Sequence, residues 1–284
     1  MGFAILNGEI IERVNAFVDV EDRGYQFGDG VYEVIRVYNG RMFTAKEHLR
    51  RFVRSAESIC ITIPYPTEQL MSLLEKLIQK NSLQQGIIYL QISRGITPRN
   101  HAFPVGDVAP TLVAYTKEVD RPVEKLKSGV KTILVEDIRW LRCDIKSLNL
   151  LANVLAKQKA AEANCFEAIQ YRGRDITEGS SSNIFIVKDS VVITHPSTNL
   201  ILKGITKDEI LRLCTANAIA VVERTFTLEE LMQADEAFLS STTGEVMPII
   251  EIDKKIVKDG VPGPVTRRLQ AFFEEEIKSK CGNL

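Results

Sequence analysis

Two Asn-Gly pairs near the start of the chain are each flanked by short runs in which apolar and polar residues alternate. Asn and Gly are the residues that most readily adopt the positive φ angles of a two-residue turn. Each stretch therefore predicts a β-hairpin. The two stretches are residues 3–12 around Asn7-Gly8 and residues 31–44 around Asn39-Gly40.

Two later segments repeat apolar residues at intervals of three and four, the spacing of one helix face. In the first, Thr44 and Glu47 have the spacing of a capping box, and the second begins at Thr67. The apolar positions are Leu49, Phe52, Val53, Ala56 and Ile59 in the first segment and Leu70, Leu73, Leu74, Leu77 and Ile78 in the second. Together with apolar strands at 87–93 and 111–115, they predict an α+β domain of mostly antiparallel strands.

A break in this pattern follows, because residues 119–129 are charged, contain Pro122 and show no sustained period, as a linker does. The 284 residues exceed the usual size of one core. The sequence therefore predicts a small domain at 1–118, a linker at 119–129 and a larger domain at 130–284. The larger domain has predicted strands at 131–135, 168–171, 184–187, 191–194, 237–240 and 249–252 and predicted helices at 148–163, 207–217 and 265–278.

The composition of the chain argues against several classes of binding partner, among them nucleic acids and membranes. With 36 basic and 37 acidic residues the net charge is -1, so no positive field favours nucleic acid or an anionic membrane. The five cysteines are odd in number and lack C-x-x-C spacing, which argues against a disulfide framework or a metal site. No stretch approaches the about 20 apolar residues of a membrane helix, and the start of the chain does not look like a signal peptide. We therefore expect a cytoplasmic protein with no membrane partner.

Lys146 is the first candidate for chemistry. It precedes Ser147, which the pattern predicts as the N-cap of the next helix. A free lysine has a pKa of about 10.4, so a neutral amine at pH 7 needs about 4–5 kcal/mol from desolvation or neighbouring cations. Arg139 and Arg142 are candidates to supply part of it. A solvated lysine beside a helix cap is the other interpretation, and the local sequence leaves both open.

Three further clusters are each ambiguous alone. Glu178 stands in a Gly/Ser-rich turn, where it is either an ordinary turn residue or an acid that holds a pyridine nitrogen protonated. Thr206 and Glu209 have capping-box spacing at a predicted helix start, which is also a ready anion site. Residues 240–244 offer hydroxyls at the end of an apolar strand. A solvated turn explains them equally well.

The loop at residues 95–104 contains Arg99 and His101 among turn-forming residues. A guanidinium can grip a carboxylate through two parallel hydrogen bonds, and an imidazole or the phenol of Tyr32 can add another donor. Two solvated side chains are the alternative. The loop is therefore a candidate site for a substrate carboxylate.

Taken together, these motifs resemble the fold-type IV pyridoxal-phosphate enzymes, in the same order and over nearly the whole chain. They are the stretch 21–33, the Lys146 segment, Thr177 to Asn183, Gly204-Ile205-Thr206 and Ser241-Thr242-Thr243. Within that group, Arg99-Asn100-His101 resembles the R-x-H element of D-amino-acid aminotransferases. The resemblance implies two α+β domains, a small α/β one and a larger one with a mainly antiparallel, barrel-like sheet.

The resemblance also implies roles for particular residues. Lys146 would be the Schiff-base lysine and proton carrier, Glu178 the partner of the pyridine nitrogen, and Leu202 a contact of the ring. The phosphate would be held by Arg51, Ile205, Thr206 and Thr242, and the substrate by Tyr32, Arg99 and His101. On a helical wheel Arg51 points away from the apolar face, which indicates either a solvent-exposed side chain or one that faces an interdomain cleft on that side of the helix.

The implied activity is a ping-pong transfer of the amino group of D-amino acids such as D-alanine, D-glutamate or D-aspartate to 2-oxo acids such as 2-oxoglutarate or pyruvate. The cofactor is pyridoxal 5'-phosphate, no metal is expected, and the assembly is a homodimer. Two alternatives share the fold: a branched-chain L-amino-acid aminotransferase and an enzyme similar to aminodeoxychorismate lyase. A non-enzymatic binding protein would need no activated lysine.

Overall fold

The computed structural model describes residues 2–284 as two compact units. The first comprises the described residues up to Asp120 together with Ile145–Asn149 and Ile277–Leu284. The second comprises Arg121–Asp144 and Leu150–Glu276. Within the predicted linker, residues 123–128 form a short helix rather than an irregular segment. The bounds of separately folding domains stay a prediction.

The first unit contains a six-stranded sheet in which every pairing is antiparallel, in the order β2-β1-β6-β5-β3-β4. This confirms the antiparallel expectation. Its strands are β1 (Phe3–Leu6), β2 (Glu9–Glu12), β3 (Gly30–Tyr38), β4 (Arg41–Met42), β5 (Gly86–Ser93) and β6 (Thr111–Glu118). Its helices are α1 (Arg23–Phe27), α2 (Ala45–Glu57) and α3 (Thr67–Lys80).

Both predicted hairpins are present. The turn residues have positive φ angles, 50° and 87° at Asn7 and Gly8 and 49° and 71° at Asn39 and Gly40. The pairs Leu6 with Glu9 and Tyr38 with Arg41 close the two turns. The local turn chemistry was sufficient to place these strands.

One face of β3 and the apolar face of α2 share a core. Val31, Ile35 and Val37 are fully buried, as are Leu49 and Phe52 of α2. The predicted capping box at Thr44 is wrong, because Thr44 has a φ of 52° and its hydroxyl donates to the Phe43 carbonyl rather than capping the helix. Burial of the apolar face, rather than a cap, therefore fixes this helix.

The second unit is built on a sheet in the order β12-β11-β10-β13-β14-β7-β8-β9, with β15 paired to β14. Its strands are β7 (Val130–Glu136), β8 (Glu167–Arg172), β9 (Asp175–Gly179), β10 (Asn183–Lys188), β11 (Val191–Thr194), β12 (Val221–Glu223), β13 (Glu236–Ser241), β14 (Glu245–Ile252) and β15 (Lys255–Ile256). Its helices are α4 (Val123–Ser128), α5 (Leu151–Glu162), α6 (Ile205–Ala216), α7 (Leu228–Met232) and α8 (Pro264–Cys281), the last of which ends in the first unit.

This sheet curls back on itself. The pairings β11–β12, β14–β7 and β7–β8 are parallel and the others antiparallel. The end strand β9 contacts β10, although β13, β14, β7 and β8 stand between them in the strand order. The expectation of a mainly antiparallel, barrel-like sheet is confirmed.

Two predicted helix starts need correction. Helix α5 begins at Leu151, so Ser147 is not its N-cap; Ser147 instead forms a β-bridge with Val31. Helix α6 begins at Ile205 after Gly204, without a side-chain cap, and Glu209 bonds Arg212. The capping box that does form belongs to Thr227 and Glu230 at α7, a helix absent from the sequence prediction. Among residues 2–284, no helix is long and apolar enough to cross a membrane.

Candidate active site

Lys146 is held along the edge of β3. The Tyr32 N–H donates to the Lys146 carbonyl at 2.9 Å, the Leu148 N–H donates to Gly30 at 2.9 Å, and the Lys146 N–H donates to Ser55 Oγ at 3.2 Å. The half-buried Lys146 Nζ lies 4.2 Å from the centroid of the Tyr32 ring. The structure therefore brings Lys146 and Tyr32 together on a fixed backbone, several residues before α5 rather than at its cap.

The arginines predicted to assist Lys146 are both bound to carboxylates. Arg142 is exposed and bonds Asp144 at 3.0 Å. Arg139 is buried and bonds Asp137 and Glu178. Each guanidinium is thus paired with an acidic side chain, and the assistance predicted for Lys146 from these two arginines stays a prediction.

Arg51 is buried rather than exposed. Its side chain is 4% exposed and its Nε lies 2.6 Å from Glu33 Oε1, with Nη2 at 2.9 Å from Oε2. His48 Nδ1 completes the group at 2.8 Å from Glu33 Oε2. Of the two alternatives for Arg51, solvent exposure is wrong, because the helical wheel considers α2 alone, whereas β3 presents a carboxylate to that side of the helix.

Glu33 and His48 were missed as site residues. Glu33 has the same phase in β3 as the buried Val31 and Ile35, and His48 is three residues before Arg51 on α2. An acid at an inward strand position is the signal that could have found them, since buried charges are paired.

The charge state of this group is fixed by its partners. Burial alone would raise the pKa of Glu33, but Arg51 and His48 outweigh it and the pKa lies well below its usual range. Burial lowers the pKa of His48, and the charges of Arg51 and Lys146 act in the same direction against the opposing Glu33. The result is a permanent carboxylate that holds Arg51 in one orientation.

Glu178 occupies a fully buried position in the second unit. It accepts hydrogen bonds from Asn183 Nδ2 at 3.0 Å, from the Leu202 N–H at 3.1 Å and from Arg139. Burial, the largest influence, raises its pKa above the usual range, and Arg139 and the Leu202 N–H only partly oppose this. One reason is that Arg139 also bonds Asp137 at 2.8 Å, so one guanidinium is shared by two carboxylates.

The backbone from Leu202 to Gly204 packs directly on Asn183, one of the residues that donate a hydrogen bond to Glu178. The Leu202 carbonyl accepts from Asn183 Nδ2 at 3.0 Å. A Cβ on Gly204 would lie 2.0 Å from Asn183 Oδ1, so only glycine allows this approach. Helix α6 follows at once, which gives Ile205 and Thr206 the first N–H groups of a helix of 12 residues. Such N–H groups have no partner inside the helix and favour an anion.

Thr242 lies in the three-residue turn between β13 and β14, closed by the Ser241–Glu245 pair. Two residues earlier, Ser240 is directly across the ladder from Asn183. Ser240 Oγ is buried and has no hydrogen-bond partner among residues 2–284. The bonds of Asn183 to Glu178 and Leu202, and its pairing with Ser240, therefore place Glu178, Leu202 and the turn of Thr242 near the start of β10 and the end of β13, beside an unsatisfied hydroxyl.

Arg99 and His101 lie elsewhere on the first unit. Both are exposed, on a loop without regular helix or strand, as the turn-forming residues predicted. The Arg99 guanidinium lies 4.8 Å from the Phe27 ring centroid, and the His101 and Phe27 centroids are 5.6 Å apart. The structure thus places Tyr32 beside Lys146 and the other two substrate candidates against Phe27.

Comparison with known proteins identifies the family. Residues 30–252 match the family model of the class IV aminotransferases. D-alanine aminotransferase of Staphylococcus aureus (strain MSSA476) is 52% identical over 274 residues, 96% of this chain and 97% of that protein. D-alanine aminotransferase of Listeria monocytogenes serotype 4b (strain F2365) is 50% identical over 284 residues, 99% of this chain and 98% of that protein.

Solved structures agree on the fold. The branched-chain amino acid aminotransferase of Escherichia coli has a TM-score of 0.90 at 29% identity, over 95% of this chain and 92% of that one. The branched-chain amino acid aminotransferase of Thermobaculum terrenum, solved in its PLP-bound holo-form, has a TM-score of 0.86 at 28% identity, over 98% and 94% of the two chains.

The chain therefore belongs to the class IV aminotransferases. Enzymes of this family depend on pyridoxal phosphate. The resemblance drawn from the sequence is thus confirmed at the level of family, fold and cofactor.

Proposed function

We propose that this chain transfers the amino group of D-amino acids, of the D-alanine, D-glutamate and D-aspartate type, to 2-oxo acids such as 2-oxoglutarate or pyruvate. The observation that carries this proposal is the similarity to D-alanine aminotransferases over nearly the full length. The branched-chain enzymes match the fold at much lower identity, which makes L-specific transamination the weaker candidate.

Pyridoxal phosphate, when bound, supplies an electron sink for the pair of electrons left when the substrate's Cα–H bond breaks. Lys146 would hold the cofactor covalently and, once displaced, move the Cα proton. Tyr32, in contact with the lysine amine, would border the same space. Their shared attachment to β3 supports this assignment, because proton transfer requires donor and acceptor at fixed positions.

Glu178 would keep the ring nitrogen protonated. The structure fits this role, since the carboxylate is buried with only part of its charge compensated. A cationic ring nitrogen would supply the missing positive partner and bring the pKa of Glu178 down. Leu202 would pack on the ring, because its N–H already fixes it to Glu178.

The phosphate would be bound by Arg51, by the N–H groups of Ile205 and Thr206 and by the Thr242 hydroxyl. The helix start at Ile205 and the unpaired Ser240 hydroxyl nearby suit a polar, anionic ligand. Arg51 would bring its charge already oriented by Glu33.

The reductive trapping of the cofactor tests Lys146. Borohydride treatment of the purified holoenzyme should fix pyridoxal phosphate to the peptide that contains Lys146, and Lys146→Ala should abolish the covalent adduct together with turnover. Mass spectrometry of the digest reads out the site. An adduct at Lys157, Lys159 or Lys203 would refute the assignment.

The substrate's α-carboxylate would be bound by Arg99 and His101 with Tyr32. Fixing the carboxylate while Lys146 and the cofactor fix the α-nitrogen leaves one enantiomer able to present its Cα proton to the amine. By similarity to the D-alanine enzymes, that enantiomer is D.

Arg99→Ala should therefore raise KM for D-alanine strongly, a loss of about 2–4 kcal/mol in transition-state binding, with cofactor affinity unchanged. Steady-state kinetics with D- and L-amino acids and separate 2-oxo acid acceptors provide the measurement. Equal turnover of D- and L-alanine, preference for branched L-amino acids, or turnover without an acceptor would each contradict the proposal.

A homodimer in the cytoplasm completes the proposal, with Arg99 and His101 of one protomer serving the other's site. Helix α5 supports it, because Ala156 and Ala160 are buried on one side while Leu151, Val154 and Leu155 are exposed. A helix apolar on both sides needs a second covering surface. Light scattering should give about twice the 31.9 kDa chain mass, and a fully active monomer would contradict it. The five free cysteines suit a reducing compartment.

A further inference from the structure

We propose that Arg23 is a positioning residue for substrate binding, which holds the Arg99–His101 loop in the geometry that grips the α-carboxylate. The inference rests on the proposed function of that loop. It is carried by a network in the first unit that connects a buried guanidinium to three consecutive carbonyls of the loop.

Arg23 is 3% exposed, although it begins the five-residue helix α1. Its Nη1 donates to the Asn100 carbonyl at 2.5 Å and to the Ala102 carbonyl at 3.3 Å, and its Nη2 donates to the His101 carbonyl at 3.4 Å. These carbonyls lie immediately after Arg99 and at His101 itself. A guanidinium with its rigid fork can span them together, whereas a lysine ammonium is a single point.

A single carboxylate anchors this guanidinium and a second one. Asp29 Oδ2 accepts from Arg23 Nε at 2.7 Å and from Arg94 Nε at 2.8 Å. Burial by itself raises the pKa of Asp29, but the two arginines reverse this and hold it below its usual value. Arg94 also donates to the Ile59 and Cys60 carbonyls at 2.7 and 3.0 Å, so the group is fixed to the body of the unit.

Two aromatic rings, those of Phe27 and Phe103, also contact the arginines of this network and of the loop. The Phe27 ring centroid lies 4.8 Å from both the Arg23 and the Arg99 guanidinium carbons. The Phe103 ring centroid lies 3.6 Å from the guanidinium carbon of Arg94. Arg99 and His101 are thus exposed at their ends while the backbone beneath them is bonded to a buried charge network. That combination, a free functional end on a fixed base, is what preorganised binding requires.

The experiment compares Arg23→Lys and Asp29→Asn with Arg99→Ala in the holoenzyme. Arg23→Lys keeps the charge beside Asp29 but cannot bond the three carbonyls. It should raise KM for D-alanine between about tenfold and about a hundredfold, since a misplacement of about 1 Å is enough for such a loss. It should leave the dissociation constant of pyridoxal phosphate unchanged, and Asp29→Asn should act in the same direction.

The decisive test is a double-mutant cycle. In the Arg99→Ala background, Arg23→Lys should raise KM by a clearly smaller factor than in the wild type, because only His101 is then left for Arg23 to position. A purely structural role would instead lower stability and change KM by the same factor in both backgrounds. Arg267→Lys is the matched control, because Arg267 also donates to two backbone carbonyls, those of Leu126 and Lys127, and all three residues belong to the second unit. It should leave KM unchanged.

Unchanged KM in Arg23→Lys while Arg99→Ala raises it would overturn this inference alone. Equal effects of Arg23→Lys in both backgrounds would do the same. Wild-type kinetics in Arg99→Ala would overturn the carboxylate site itself and this inference with it. Urea unfolding of each variant identifies any that fails to fold, and Asp29→Asn then serves as the second probe.

Discussion

Glu33 and Glu178 are two fully buried glutamates with opposite pKa shifts. Glu33 is bonded by both Arg51 and His48, and its pKa is lowered. Glu178 shares Arg139 with Asp137, and its pKa is raised. Burial raises the pKa of both, so the neighbouring charges and hydrogen bonds decide the difference: Arg51 and His48 favour the charged form of Glu33, whereas for Glu178 the negative charge of Asp137 opposes Arg139. A fully compensated carboxylate serves as a fixed support, whereas an under-compensated one favours a positively charged ligand.

The largest expected effect is on stability. Glu33→Gln removes the buried carboxylate that bonds both Arg51 and His48 and should lower the free energy of unfolding of the apoenzyme by about 3–5 kcal/mol. Glu178→Gln should cost less than about 2 kcal/mol, because Asn183 and the Leu202 N–H still have an acceptor and Arg139 keeps Asp137. Urea titrations of both variants measure this. Equal losses in the free energy of unfolding would contradict the contrast, because they would show that neighbouring cations neutralise the two carboxylates to the same extent.

A smaller effect should appear in the pH dependence of the apoenzyme. The raised pKa of Glu178 means that the folded state binds the proton more tightly than the unfolded chain does, where the value is near 4.5. Its contribution to stability is therefore present at low pH and lost as pH rises through the raised value. The stability difference between wild type and Glu178→Gln should therefore shrink as pH rises above 4.5 and through the raised pKa of the folded state.

The sign is opposite for Glu33. Its lowered pKa gives a contribution that is present above the unfolded value of 4.5 and lost as pH falls below it. The difference between wild type and Glu33→Gln should therefore stay level in the neutral range and decrease only in acid. Urea unfolding over a pH series separates the two. Parallel profiles for both variants would refute the contrast.

Local signals predicted much of the fold. The Asn-Gly turns and the apolar periods of α2 and α3 depend on neighbouring residues, and those elements are present. The cap at Ser147 failed because its backbone pairs with Val31, far away in sequence. The solvent-exposed alternative for Arg51 is wrong for the same reason, since its partner Glu33 belongs to another element.

The candidate site followed from the order of motifs rather than from any single residue. Lys146, Glu178 and Thr206 were each ambiguous locally, and only their common resemblance to one family selected the functional interpretation. What the motifs did not show was which contacts support the site: Glu33 and His48 bond each other and Glu33 bonds Arg51, while Arg23 bonds Asp29 and the loop of Arg99, although Arg23, Asp29 and Glu33 all lie within the stretch 21–33. These contacts join residues on different elements, so no local pattern reports them.

The path of the chain also constrains how the protein is made. The first unit includes Ile145, whose side chain is buried in its core, and the tail Ile277–Leu284. Asn39 donates to the carbonyls of Cys281 and Asn283 at 3.3 and 2.6 Å. When residues up to Asp120 have left the ribosome, the first unit therefore still lacks Ile145–Asn149 and Ile277–Leu284. Its last contacts form only after residues 277–284 have been synthesised, so a nascent chain that stalls earlier cannot complete the core and surface contacts of its first unit.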